Sequence, residues 1–183
     1  MDATHADGPR PGPTETIPAE TAPAETQVER LSERETQVVR LFNAPPALVF
    51  AAWTRPDLLQ RWWTPKSYGL TFVSCEADVR AGGTYRFVFN HADFAEPMAF
   101  HGRYLEVVPD ARLVWTNEEA HGQGSVTTVT FEAVPGPDQG QMTRLVLRET
   151  YPSKEALDEA LANGSTGGLT ETFAQLDAVL AEA

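Results

Sequence analysis

Cysteine is nearly absent from the chain. Cys75 is the only one in 183 residues, which excludes an intramolecular disulfide and a zinc site built from thiolates. Lysine is almost as scarce, with Lys66 and Lys154 alone, and the 14 basic residues face 26 acids for a net charge of −12. Phosphate-rich partners would be repelled by most of such a surface, so neither nucleic acid nor an anionic membrane is an expected partner. No apolar run approaches the roughly 18 residues of a membrane span. The opening MDATHADGPRPGP has neither the basic start nor the apolar stretch of a signal peptide, so a cytoplasmic protein is expected. Arginine outnumbers lysine twelve to two, which with abundant Ala, Gly and Pro fits a GC-rich bacterial genome.

Aromatic residues are missing from the first 41 positions. Residues 1–30 carry five prolines and six acids against two arginines, and Ile17 and Val28 are their only branched aliphatics. Such a stretch buries too little apolar surface to offset the cost of ordering it, about 1–2 kcal/mol per residue. It reads as a disordered acidic tail rich in Pro, Ala, Thr and Glu, and residues 31–183 as one domain.

The remaining chain holds four Trp, four Tyr and nine Phe, ample for a core. Residues 33–42 are β-rich and lead into Asn43-Ala44-Pro45-Pro46, where Asn43 would cap a short helix over 47–53. Thr54 and Pro56 would open a second helix over 57–63. The period then changes to two. Strands are expected at 71–80, 84–90, 98–108, 112–117, 125–134 and 142–150, separated by Gly- and Pro-containing turns and joined as an antiparallel meander. Ser153 opens a helix over 154–162 that Asn163-Gly164 stops. In 166–183, Leu169, Phe173, Leu176 and Leu180 form one apolar stripe of an amphipathic helix. Seven strands with helices gathered on one face make an α+β fold.

Three segments in this order carry a resemblance: NAPPALVFAAWTRPDLLQRWW at 43–63, DVRAGGTYR at 78–86 and GRYLEVVPDARLVW at 102–115. A fourth, Gly167-Gly168 before the last helix, matches in part, because Leu169 stands where a Trp is usual. Together they resemble the SRPBCC (START-like, Bet v-like) superfamily, and within it the group of the heat-shock protein 90 ATPase activator C-terminal domain. The resemblance implies a helix-grip fold: a seven-stranded curved antiparallel sheet around the long C-terminal helix, with an apolar cavity between them. It also leaves two alternatives for function open, a chaperone-ATPase-activator-like interaction domain and a polyketide cyclase-like enzyme.

Tyr85, Phe87 and Phe89 lie on one face of their strand, and Trp115 and Phe131 on later strands join them opposite Leu169, Phe173 and Leu176. Phe50 and Trp53 on the first helix, Tyr104, and the pair Trp62 and Trp63 complete the candidate cavity. Consecutive tryptophans on a helix point about 100° apart, so one would seal the core and the other sit at a mouth or on the surface. These side chains would make either a filled core or a pocket for a hydrophobic or aromatic small molecule. Binding without catalysis is the leading expectation, with no cofactor and with a homodimer left open.

His5, His91, His101 and His121 show no metal-ligand spacing, and no G-x-S-x-G or phosphate-cradling glycine loop is present. Cys75, with Val73 and Ala77 expected on its face, reads as a small buried hydrophobe. Glu76, Asp78, Glu106, Glu132 and Glu149 read as strand carboxylates, Glu76 and Asp78 on a solvated face. Arg103 and Arg148 read as outward-facing, with an inward alternative for each.

Overall fold

A computed structural model of the chain describes residues 26–118, 124–137 and 140–183. Most of the expected tail, together with His5 and His121, lies outside these residues. Eight strands form one antiparallel sheet in the order β1-β2-β8-β7-β6-β5-β4-β3: β1 Gln27–Arg30, β2 Glu35–Phe42, β3 Thr71–Ala77, β4 Thr84–Asn90, β5 Met98–Val108, β6 Arg112–Thr116, β7 Val126–Pro135 and β8 Gln141–Thr150. The helices are α1 Pro46–Thr54, α2 Pro56–Leu59, α3 Lys154–Ala162 and α4 Leu169–Leu180, with a 3₁₀ turn at Lys66–Tyr68.

The count is eight strands, not seven. The extra one falls in the last four residues read as tail, where Val28 pairs with Val38 and Gln27 with Val39. All four residues are exposed, so burial does not hold β1, and a pattern of buried positions could not betray it. The β2 backbone supplies its hydrogen bonds, and Arg30 pins its end to Asp158 of α3 at 2.6 Å.

Helix starts also differ from expectation. The N-cap of α1 is Pro45 rather than Asn43, and no side chain caps it. Pro45 and Pro46 carry no backbone N–H, so fewer donors remain for a cap to serve. Thr54 turns back to donate to the carbonyl of Phe50 at 2.8 Å, and Arg55 stands at the N-cap of α2. The second helix stops at Leu59 instead of 63, and tight turns such as Arg61 N–H to Leu58 O at 3.0 Å continue the chain. Ser153 does cap α3, accepting from the backbone N–H of Ala156 at 3.1 Å.

The core lies between the inner sheet face and the helices. Along β2, Thr36, Val38, Arg40 and Phe42 are buried in strict alternation, as period two requires. In β3 a bulge between Phe72 and Ser74 interrupts the alternation. Val73 is pushed out to 55% exposure, so Cys75 shares the inner face with Phe72 and Ala77 and not with Val73. A second irregularity between Tyr104 and Glu106 leaves Leu105 and Glu106 outside, while Tyr104 and Val107 both pack on the core. Helix α4 packs on α1 and sets Phe173 edge-on against Phe42 of β2, ring centroids 5.6 Å apart.

Candidate functional site

Strand β4 lays the floor of the site. Tyr85, Phe87 and Phe89 point inward and are buried, and register places Cys75 and Phe100 beside Phe87 and Gly102 beside Tyr85. Gly102 is dictated by close approach, since a Cβ there would lie 1.8 Å from the Thr116 carbonyl oxygen and 2.9 Å from the Tyr85 ring. Tyr104 adds a ring from β5, Leu113 and Trp115 come from β6, and Phe131 from β7. Phe50 and Trp53 descend from α1, Trp62 and Trp63 follow α2, and Leu169, Phe173 and Leu176 come from α4.

All of the candidate cavity residues meet in one apolar cluster. Trp53 is its hub. Its ring centroid lies 4.8 Å from Trp62, 5.8 Å from Trp63, 6.0 Å from Trp115, 6.2 Å from Phe131 and 6.5 Å from Phe173. Such edge-to-face and tilted pairs contribute about 0.5–1.5 kcal/mol each beyond the area they bury. Of the consecutive tryptophans, Trp62 is buried and donates to the carbonyl of Ala52 at 2.9 Å, while Trp63 keeps part of its surface in solvent.

The apolar gap does not lie under the C-terminal helix, where the hollow was expected. Phe173 and Leu176 are 1% and 0% exposed, and side chains fill the room beneath α4. A gap of about 10 Å³ opens instead beneath α1 and the chain after α2, lined by Trp53, Leu59, Trp63, Tyr85, Phe87, Tyr104, Leu113 and Trp115. Six candidate residues border it, namely Trp53, Trp63, Tyr85, Phe87, Tyr104 and Trp115. Phe50, Trp62, Phe89, Phe131, Leu169, Phe173 and Leu176 back the wall without touching the gap. Leu59 and Leu113 line the gap beyond the candidate set, although the period of β6 puts Leu113 on one strand face with Trp115.

The gap has room for about one water-sized sphere, far below the roughly 300 Å³ of a small-molecule pocket. Its polar features are few. The Trp53 indole N–H is buried and has no hydrogen-bond partner. Burial pushes the Tyr104 phenol above its ordinary range, and the Cys75 thiol up to about 11, so both are neutral near pH 7. Ring contacts run from Phe87 through Phe72 and Phe89 to Phe100, whose ring lies 5.6 Å from Phe89 and is 43% exposed. A continuous row of packed rings therefore joins the core to the surface along β3–β5.

One wall of the gap is irregular chain, held to α4 by side chains. Gln175 donates to the carbonyls of Trp62 and Thr64 at 3.0 and 2.8 Å and accepts from the Lys66 N–H at 3.1 Å. One turn earlier on the same face, Glu171 accepts from the backbone N–H of Ser67 at 3.0 Å and from its hydroxyl. The Ser67 hydroxyl and N–H hold the Glu171 carboxyl below its ordinary value of 4.5.

A polar network closes the far end. Asn117 accepts from the Tyr85 hydroxyl and the Trp115 indole at 2.9 and 3.2 Å, and donates to Ser125 and Thr127 at 2.9 and 3.0 Å. Ser125 and Tyr151 in turn donate to the two oxygens of Glu149 at 2.6 and 2.9 Å. Glu149 is thus half-buried, unlike the exposed Glu76, Asp78, Glu106 and Glu132, the last three of which pair with Arg80, Arg112 and Arg144. Arg103 and Arg148 face outward, bound to Glu118 and Gln37. The buried arginine is Arg40, paired with Asp177 of α4 and lying over the rings of Phe42 and Phe173. Among the described residues no group of three or more His, Cys, Asp or Glu could hold a metal ion, and no helix is long and apolar enough to cross a membrane.

Residues 43–181 match the family model of the Activator of Hsp90 ATPase homolog 1-like proteins. The chain belongs to that family, a branch of the SRPBCC superfamily. Solved structures of the same fold agree. A protein from Rhodobacter sphaeroides is 25% identical with a TM-score of 0.75, over 86% of this chain and 99% of its own. A protein from Mycobacterium smegmatis is 26% identical with a TM-score of 0.70, over 87% and 99%. One from Nitrosomonas europaea, at 22% identity and a TM-score of 0.71, covers 82% of this chain and 96% of its own and shows the fold alone. No curated protein is matched.

Proposed function

We propose that the chain binds an apolar small molecule, without covalent chemistry, in the aromatic chamber between α1, the chain after α2 and strands β4–β6. The observation that carries this reading is the combination of an aromatic gap with one wall built on tethered irregular chain rather than on the sheet ladder. Leu59 ends α2, and Trp63 sits on the irregular chain that follows, fastened to α4 by Gln175 and Glu171. The floor, by contrast, is ladder-bonded sheet. Outward movement of the wall would enlarge the chamber and open a way in without breaking the sheet. Apolar area removed from water, at about 25 cal/mol per Å², drives the association.

Titration with 2-ethylnaphthalene, followed through tryptophan emission, tests this. A saturable one-to-one change is expected. Leu59→Phe, which adds a ring larger than the gap, should abolish it while leaving the circular dichroism of the sheet intact. Absence of saturation in the parent protein with both this hydrocarbon and 2-acetylnaphthalene, or binding unaltered by Leu59→Phe, overturns the reading.

A further inference from the structure

Trp53 lines the gap and carries a buried polar group that the fold leaves unanswered. Of the indoles that meet Trp53, Trp62 donates to the Ala52 carbonyl, Trp115 donates to Asn117 and Trp63 keeps part of its surface in water, while the Trp53 N–H is buried without a partner. An unpaired buried donor carries its full desolvation cost, and a ligand that supplies an acceptor recovers it. No Lys or Arg lines the gap, so an anionic acceptor would enter without a counter-charge. The other polar side chain at the gap that could turn to a ligand is Tyr104, whose hydroxyl burial keeps in its neutral, donating form.

Resting on the chamber reading above, we infer that the ligand class is a neutral, apolar molecule bearing a carbonyl-type acceptor that takes the Trp53 indole N–H. The deciding group is the buried donor: the Trp53 N–H has no partner in the fold, while the Tyr104 hydroxyl at the gap can both donate and accept. A ketone or ester fits, a pure hydrocarbon leaves the donor stranded, and a carboxylate must shed its hydration with nothing charged to meet it.

Three probes of one shape separate these cases: 2-acetylnaphthalene, 2-ethylnaphthalene and 2-naphthoate. The ketone should bind about tenfold more tightly than the hydrocarbon, equal to about 1.4 kcal/mol, and the carboxylate most weakly. The indole N–H resonance of Trp53, assigned by NOEs to Trp62 and Phe131, should move downfield with the ketone and much less with the hydrocarbon. Trp53→Phe should bring the ketone to the affinity of the hydrocarbon. If that variant does not fold, the resonance in the parent protein decides alone. Equal binding of ketone and hydrocarbon, or an unmoved Trp53 resonance under bound ketone, overturns the acceptor and leaves the chamber standing. Failure of all three probes overturns the chamber reading and this inference with it.

Discussion

Gln175 holds Thr64 by a 2.8 Å hydrogen bond across 111 positions of sequence, and through it the α4 helix grips the segment that bears Trp63. The same amide also takes the Trp62 carbonyl and the Lys66 N–H. These bonds substitute for the helical ones that the chain gave up when α2 stopped at Leu59.

Replacing Gln175 with Leu removes all three bonds at once. A loss of about 1–3 kcal/mol of stability is expected, with the freed backbone groups bearing the cost that water does not relieve. Hydrogen exchange should accelerate across 60–68 while the β7–β8 ladder stays protected. Equal acceleration in both would mean that the clamp is global rather than local.

Glu171 makes the clamp sensitive to acid. Its carboxyl is held below 4.5 in the fold by Ser67, so its contribution is present above that value and is lost as pH falls through the lowered folded value. The melting temperature of the parent should exceed that of Glu171→Gln at pH 6, and the difference should shrink below about pH 4. A constant difference from pH 6 to 3 would contradict the assignment.

Arg40 and Asp177 form an asymmetric pair. The Arg40 side chain is 6% exposed and that of Asp177 41%, so water reaches the acid far more easily. Burial raises the Asp177 carboxyl and Arg40 partly offsets it. Asp177→Ala strands a buried cation and should cost about 2–3 kcal/mol, discounted from the 3–5 of a fully buried pair. Arg40→Met leaves an acid that water can solvate and should cost about 1 kcal/mol or less. Chemical denaturation of both variants checks the order, and the reverse order would refute it.

Gly102→Ala drives a Cβ into the Thr116 carbonyl at 1.8 Å, on backbone that cannot give way without opening the β5–β6 edge. A loss of about 3 kcal/mol or more is expected, in the range reserved for clashes in a core. Gly82→Ala meets no atom within 4 Å, but its φ of 81° penalises any side chain. It should cost about 1–2 kcal/mol. Thermal melts of the two variants separate steric contact from backbone strain.

Much of this was legible beforehand because period two is a strong signal where one sheet face is buried. Tyr85, Phe87 and Phe89 declared the inner face of β4, and the stripe Leu169, Phe173, Leu176 declared that of α4. Strand β1 was not legible, since its exposed residues owe their order to pairing with β2 and to the Arg30–Asp158 ion pair rather than to burial. Nor was the bulge at Val73, because one extra residue breaks the alternation without leaving a mark in composition. The position of the gap was hidden for a different reason. It depends on how closely Phe173 and Phe42 fill the space under α4, and packing density is not written in periodicity. Arg40, on the buried face of β2, went unnoticed because its partner lies 137 residues away.

The central claim, that the wall moves and the chamber admits a neutral apolar molecule, is tested most directly by intermolecular NOEs between 2-acetylnaphthalene and the isotope-labelled protein. The account predicts NOEs from the bound probe to Trp53, Tyr85, Phe87 and Tyr104 together. NOEs confined to exposed residues such as Phe94 and Val73, or none at saturating probe, would contradict it.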